Sequence, residues 1–135
     1  MALGQFSLDL SKFVKKAGVN FDLVVKKVIF DIFSDIVKLT PRDTGRAASN
    51  WQIGGSLGSG QVGSFDKSGQ VAISKGQAAV KALVTKAQVI GYIYNNVEYI
   101  GPLEYGHSKQ APRGIVRITL ANYQAYINKA AAALK

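Results

Sequence analysis

The residues best able to do chemistry gather in one stretch, Tyr99-Ile-Gly-Pro-Leu-Glu-Tyr-Gly-His-Ser-Lys-Gln-Ala-Pro-Arg-Gly-Ile-Val-Arg117. It holds the single histidine, His107, with one acid, Glu104, and two arginines, Arg113 and Arg117. An imidazole three residues after a carboxylate could move protons, or the two could join other carboxylates around a metal. Either chemistry needs a partner: a nucleophile beside the base, or further ligands. The chain has no His-x-x-x-His pair, paired carboxylates or Gly-x-Ser-x-Gly elbow, and it has no cysteine.

His107 therefore reads as a hydrogen-bonded structural residue, with Asp43 a further candidate neighbour. Glu104 reads as a partly buried acid offset by Arg46, Arg113 or Arg117, where loss of one partner strands the other charge. An enzyme built on Glu104 and His107 is the weakest reading. No catalytic residue, metal or cofactor is assigned. Three glycines and two prolines in the same stretch restrict its backbone and point to a rigid corner leading into the last helix.

A second motif, Gly58-Ser-Gly-Gln-Val-Gly63, matches the Gly-x-Gly-x-x-Gly of dinucleotide sites. That site needs a strand before it and a helix dipole directly after it to receive a pyrophosphate. Ser64-Phe-Asp-Lys-Ser-Gly69 is not expected to open such a helix. Residues 54–70 carry six glycines and four serines and read as a flexible loop. Its Leu57, Val62 and Phe65 could order against a partner.

Seventeen Lys and Arg oppose eight Asp and Glu, giving a net charge of +9 in 135 residues. Such a field favours nucleic acid, anionic membrane or an acidic protein surface. The basic residues are scattered, as on a solvated face. Tyr92, Tyr94, Tyr99 and Tyr105 could stack single-stranded bases, so a basic nucleic-acid-binding domain is the alternative reading. Apolar residues make up 47%, enough for one folded domain spanning 1–135. No apolar run reaches the roughly 18 residues of a membrane span and no leader pattern opens the chain, so neither membrane nor secretion is expected.

The elements that must position these residues follow from periodicity. Residues 1–8 read as a loose start and Asp9–Lys16 as a short helix ending at Gly18. From an Asn20 cap, Phe21, Val24, Val25, Val28, Ile29, Ile32, Phe33, Ile36 and Val37 recur at helical spacing, with Asp22, Lys26, Lys27, Asp31, Asp35 and Lys38 opposite. That is an amphipathic helix of about five turns, laid on a core or, as the sharper alternative, on a membrane surface or partner. Thr40-Pro41 closes it.

Pro41-Arg-Asp-Thr-Gly-Arg46 encodes a tight turn, with Asp43 accepting backbone N–H groups and Arg46 donating to Asp43 or another acid. Trp51 is expected in the core or an interface. Val71 begins a short strand, and 75–87 is helix or strand, with helix preferred. Val89–Tyr94 is a strand turning at Asn95-Asn96 into a second strand, Val97–Ile100. Pro102–Tyr105 is a helical turn stopped by Gly106. A final helix follows Pro112 or Gly114, with Val116, Leu120, Tyr123, Ile127, Ala130 and Leu134 on one seam. The fold class is α+β: a small antiparallel sheet packed by a long N-terminal helix and a C-terminal helix, with a long Gly-rich loop.

Two stretches together resemble a family. Pro41-Arg-Asp-Thr-Gly-Arg46 with Asn50-Trp51, and Tyr99 with Leu103-Glu-Tyr-Gly-His-Ser-Lys-Gln-Ala-Pro112, Val116 and Arg117, look like the tail-completion or head-to-tail joining (neck) proteins of long-tailed bacteriophages. The resemblance covers roughly residues 20–130, in the same order of elements. It implies a structural virion protein without catalytic residues, made in the host cytoplasm and joining a hexameric ring at the head–tail junction. There it would contact the tail terminator or tail tube protein and the head connector or stopper, near packaged DNA. By position, Asp43, Gly45, Arg46, Trp51, Glu104, Tyr105, Gly106, His107 and Pro112 would shape the fold and subunit contacts, and Arg117 would be one of the donors to Glu104. The loop at 54–70 departs from the family in length and glycine content.

Overall fold

The computed structural model describes residues 6–9, 21–41, 44–54, 58–83, 90–105 and 114–133. Their order is β1 (Phe6–Asp9), α1 (Phe21–Leu39), α2 (Arg46–Ser49), β2 (Gln52–Gly54), α3 (Gln70–Leu83), β3 (Ile90–Tyr94), α4 (Ile100–Glu104), α5 (Val116–Ala121) and α6 (Tyr123–Ala133). Helices and one small antiparallel sheet make this an α+β fold. The strand order is β1-β3-β2, with Phe6 opposite Ile93 and Gln52 opposite Tyr94. Among the described residues no helix is long and apolar enough to cross a membrane.

The apolar spacing of α1 becomes the centre of the core. Val24, Val28, Ile32, Phe33, Ile36 and Val37 have no exposed surface, and each such side chain contributes about 1.5–3 kcal/mol on leaving water. Helices α3 and α6 lie against α1, and α3 also meets the sheet through β2. Trp51 is core: its indole Nε1 donates to Thr40 Oγ1 at 2.7 Å, and that hydroxyl donates to the Ile36 carbonyl at 2.7 Å. The last turn of α1 is thereby tied to the segment that follows α2.

Several expectations are corrected. Phe6–Asp9 is a strand and not part of a loose start, because its four residues pair antiparallel with Ile93 to Ile90 of β3. The proposed helix at Asp9–Lys16 and the Asn20 cap fall outside the described residues, apart from Asp9 itself, which is in β1. Val71 lies in a helix, since α3 already begins at Gln70; residues 84–87 are outside the described residues. Ser64–Gly69 does lead into that helix, because Asp66 and Ser68 cap it: Val71 N–H donates to Asp66 Oδ2 at 3.1 Å and Gln70 N–H to Ser68 Oγ at 3.2 Å.

The strand expected at Val97–Ile100 is absent. Asn95 is fully buried; its Nδ2 donates to the Ala47 carbonyl at 2.8 Å and its Oδ1 accepts from Val97 N–H at 3.0 Å. That Asx turn folds the chain into α4 where a hairpin was expected. The last helix is broken at Asn122, where the N–H bonds back to the Thr119 carbonyl at 3.1 Å. The tightened turn moves the buried seam: Val116, Thr119, Ile127 and Ala130 face inward, while Leu120 is 36% exposed.

Candidate functional site

At the end of α4, Glu104 is only 5% exposed. Its Oε2 accepts the backbone N–H groups of Ile115 and Val116, both at 2.8 Å, and its Oε1 accepts that of Arg117 at 2.8 Å. The first N–H groups of a helix have no partner within it, and here the two oxygens of a distant carboxylate accept three backbone N–H groups at once, with its charge at the favourable end of the dipole. Arg117 closes the joint from the other side. Its Nη2 donates to the Glu104 carbonyl at 2.6 Å and its Nε lies 3.4 Å from Oε1.

Gly114 makes this approach feasible. Its φ is +88, and a Cβ there would stand 2.5 Å from the Glu104 carbonyl oxygen. Tyr105 is 56% exposed, with the Arg117 guanidinium 5.1 Å from its ring centre. Both carboxylate oxygens of Glu104 are thus committed to backbone and arginine, which leaves this acid holding two helices together.

The second site is the turn before α2. Gly45 has φ +86, and a Cβ would meet backbone atoms of Asp66 and Lys67 at 2.7 Å, so only glycine fits. Arg46 then reaches Glu98 in a bidentate pair, Nη1 to Oε1 at 2.8 Å and Nη2 to Oε2 at 2.9 Å. The guanidinium also donates to Gln61 Oε1 at 3.0 Å and sits 5.5 Å from the Tyr99 ring centre. Glu98 is held below the usual carboxylate range by the hydrogen bond from Arg46, which in turn raises the arginine.

From this turn outward, side chains tether residues 58–69. Asn50 Oδ1 accepts from Val62 N–H at 2.6 Å, and Ser49 Oγ accepts from Asp66 N–H at 2.8 Å. Asn96 Nδ2 donates to the Gly58 and Gly60 carbonyls at 2.9 and 3.0 Å. Val62 is half-buried and Phe65 is 45% exposed. The Gly-x-Gly-x-x-Gly stretch is separated from α3 by Ser64–Gly69, and the start of that helix is already occupied by the Asp66 carboxylate. A pyrophosphate would have to displace it. Hydrogen bonds from Ser68, first among several, hold Asp66 below the ordinary aspartate range.

Of the residues the sequence singled out, Glu104 and Arg117 come together, while Arg46 pairs with Glu98 and not with Glu104. Asp43, Leu57, Gly106, His107, Pro112 and Arg113 lie outside the described residues. Among the described residues no group of three or more His, Cys, Asp or Glu side chains could hold a metal ion. Glu98 and Asp66 went unremarked in the sequence as organisers of this region, while Asn95 stood out only as a hairpin turn and Asn50 only as part of the family motif. For Asp66 a signal existed, since Asp66-Lys-Ser-Gly69 stands directly before the α3 pattern. No family model, curated protein or solved structure matches the chain.

Proposed function

We propose that this chain is a structural virion protein of a phage neck, completing the head-proximal end of the tail as one subunit of a ring and joining it to the head connector. The observation that carries the reading is the use of Glu104. The acid in the segment that resembles the neck family is spent on the N–H groups of Ile115, Val116 and Arg117, fixing where the following helix leaves α4. A subunit in a ring needs such a joint, because the angle between helices sets the faces it offers its neighbours.

The finer architecture belongs to the same proposal. The sheet with the long N-terminal and C-terminal helices forms the rigid body, and residues 58–69, between β2 and α3, are the segment offered to the next protein, with Val62 and Phe65 as contacts. The excess of Lys and Arg faces packaged DNA or acidic neighbours. Immunogold labelling of complete particles tests the assignment: label at the head–tail junction is expected, and label on the capsid or tail tip alone would refute it.

A further inference from the structure

The outward side of α1 carries two clefts that meet at Phe30 and Asp31. On the α3 side, a cleft of about 310 Å³ is lined by Leu23, Phe30 and Val80, with Lys26, Lys27 and Lys81 around them. On the α6 side, a cleft of about 320 Å³ continues past Ser34 to Lys38, with Tyr126 and Lys129 opposite. Leu23 is 49% exposed, and Phe30 is a partly buried side chain resting on the core. From Leu23 to Lys38 the helix rises about 22 Å, the length of four turns.

The charge of this trough is one-sided. Lys26, Lys27, Lys38, Lys81 and Lys129 line it, against Asp31 and Asp35. Both acids have a partner in the fold: Lys27 Nζ lies 3.2 Å from Asp31 Oδ2, an ion pair at a buried oxygen that accepts no hydrogen bond among the described residues, and the Tyr126 hydroxyl donates to Asp35 Oδ2 at 2.5 Å. The apolar floor lies in the α3-side cleft, at Leu23 and Phe30, and with the lysines around it complements a helix with one apolar edge and carboxylates beside it.

We infer that this trough docks an acidic amphipathic helix of a different protein, with its apolar edge on Leu23 and Phe30 and its carboxylates toward Lys26, Lys81 and Lys129. A second copy is a poor occupant, because a chain with eight acids and a net charge of +9 has no acidic segment to offer. A nucleic-acid backbone would satisfy the lysines and leave the apolar floor without a partner. Occupancy of the trough does not depend on the neck assignment, and a binding assay on the isolated chain separates the two.

The probe is a labelled synthetic peptide of about five helical turns, with leucine and phenylalanine at three- and four-residue spacing and glutamate elsewhere. Fluorescence anisotropy with the full chain is expected to show saturable binding that weakens as salt rises. Binding should fall about tenfold in Lys26→Glu/Lys81→Glu, a 1.4 kcal/mol effect, and also in Leu23→Glu. The same residues in scrambled order should bind about tenfold more weakly. Thermal melting identifies either variant that fails to fold, and the other then decides. No saturable binding at low salt, equal affinity for the scrambled peptide, or unchanged affinity in a folded variant would overturn the inference. So would displacement of the peptide by duplex DNA whose own binding is lost in the same variants.

Discussion

Glu104 Oε2 accepts the backbone N–H of Val116 at 2.8 Å across 12 positions of chain, so α5 is capped by a side chain from the end of α4. Removing that side chain strands three buried or half-buried N–H groups. Glu104→Ala is expected to lower stability by about 3 kcal/mol in urea unfolding, since hydrogen bonds to charged groups are worth roughly 1.5–3 kcal/mol each and do not add fully. Glu104→Gln should cost less, because its one carbonyl oxygen can still accept. Wild-type stability in Glu104→Ala would remove the cap from the account.

Gly45→Ala and Gly114→Ala test the two positive-φ positions, φ +86 and +88. Each combines a disfavoured backbone with a Cβ at 2.7 Å or less from backbone atoms. A loss of about 2–3 kcal/mol or more is expected for each, read as a fall in Tm. A change within experimental error at either would mean that the turn relaxes freely.

The acid limb of the stability curve should depend on Asp66 and Glu98. Both are held below their ordinary range in the fold, Asp66 chiefly by Ser68 and Glu98 chiefly by Arg46. A depressed folded pKa adds stability above the unfolded pKa, and that stability is lost as pH falls through the folded one. Asp66→Asn and Glu98→Gln should each flatten the decline below about pH 4. The Glu98 part should also shrink in high salt, because that side chain is exposed. An unchanged acid limb in both variants would contradict these pairings.

At the alkaline end the relevant group is Tyr126. Burial first, and then the hydrogen bond to Asp35, push its phenol well above the ordinary tyrosine range. A raised folded pKa contributes stability fully present below the unfolded value, about 10, and lost as pH rises through the folded one. Tyr126→Phe should therefore be less sensitive to alkali than the unaltered chain. Difference titration of the unaltered chain against Tyr126→Phe should show this phenol ionising only as the protein unfolds, and its ionisation near pH 10 in the folded chain would contradict the pairing.

What the sequence made legible was what repeats or what is local. The apolar steps from Val24 to Val37 predict α1, and Val89–Tyr94 predicts β3, because burial on one face imposes a period that can be read residue by residue. The segment around Glu104 was recognisable as a corner from its glycines and prolines. Its mechanism was not, because the acceptors on Glu104 go to backbone N–H groups, which carry no sequence identity. Arg46 has Glu98 as partner 52 positions away, and only the folded chain selects that acid over Glu104. Asn95 has turn-forming composition in either fold, and its buried bond to the Ala47 carbonyl decides between hairpin and helix.

The central claim, that the chain joins heads to tails, is tested most directly by electron microscopy of particles assembled without it. Filled heads and finished tails lying separate, rejoined when the protein is added back, are the predicted result. Joined, infectious particles in its absence would contradict the assignment.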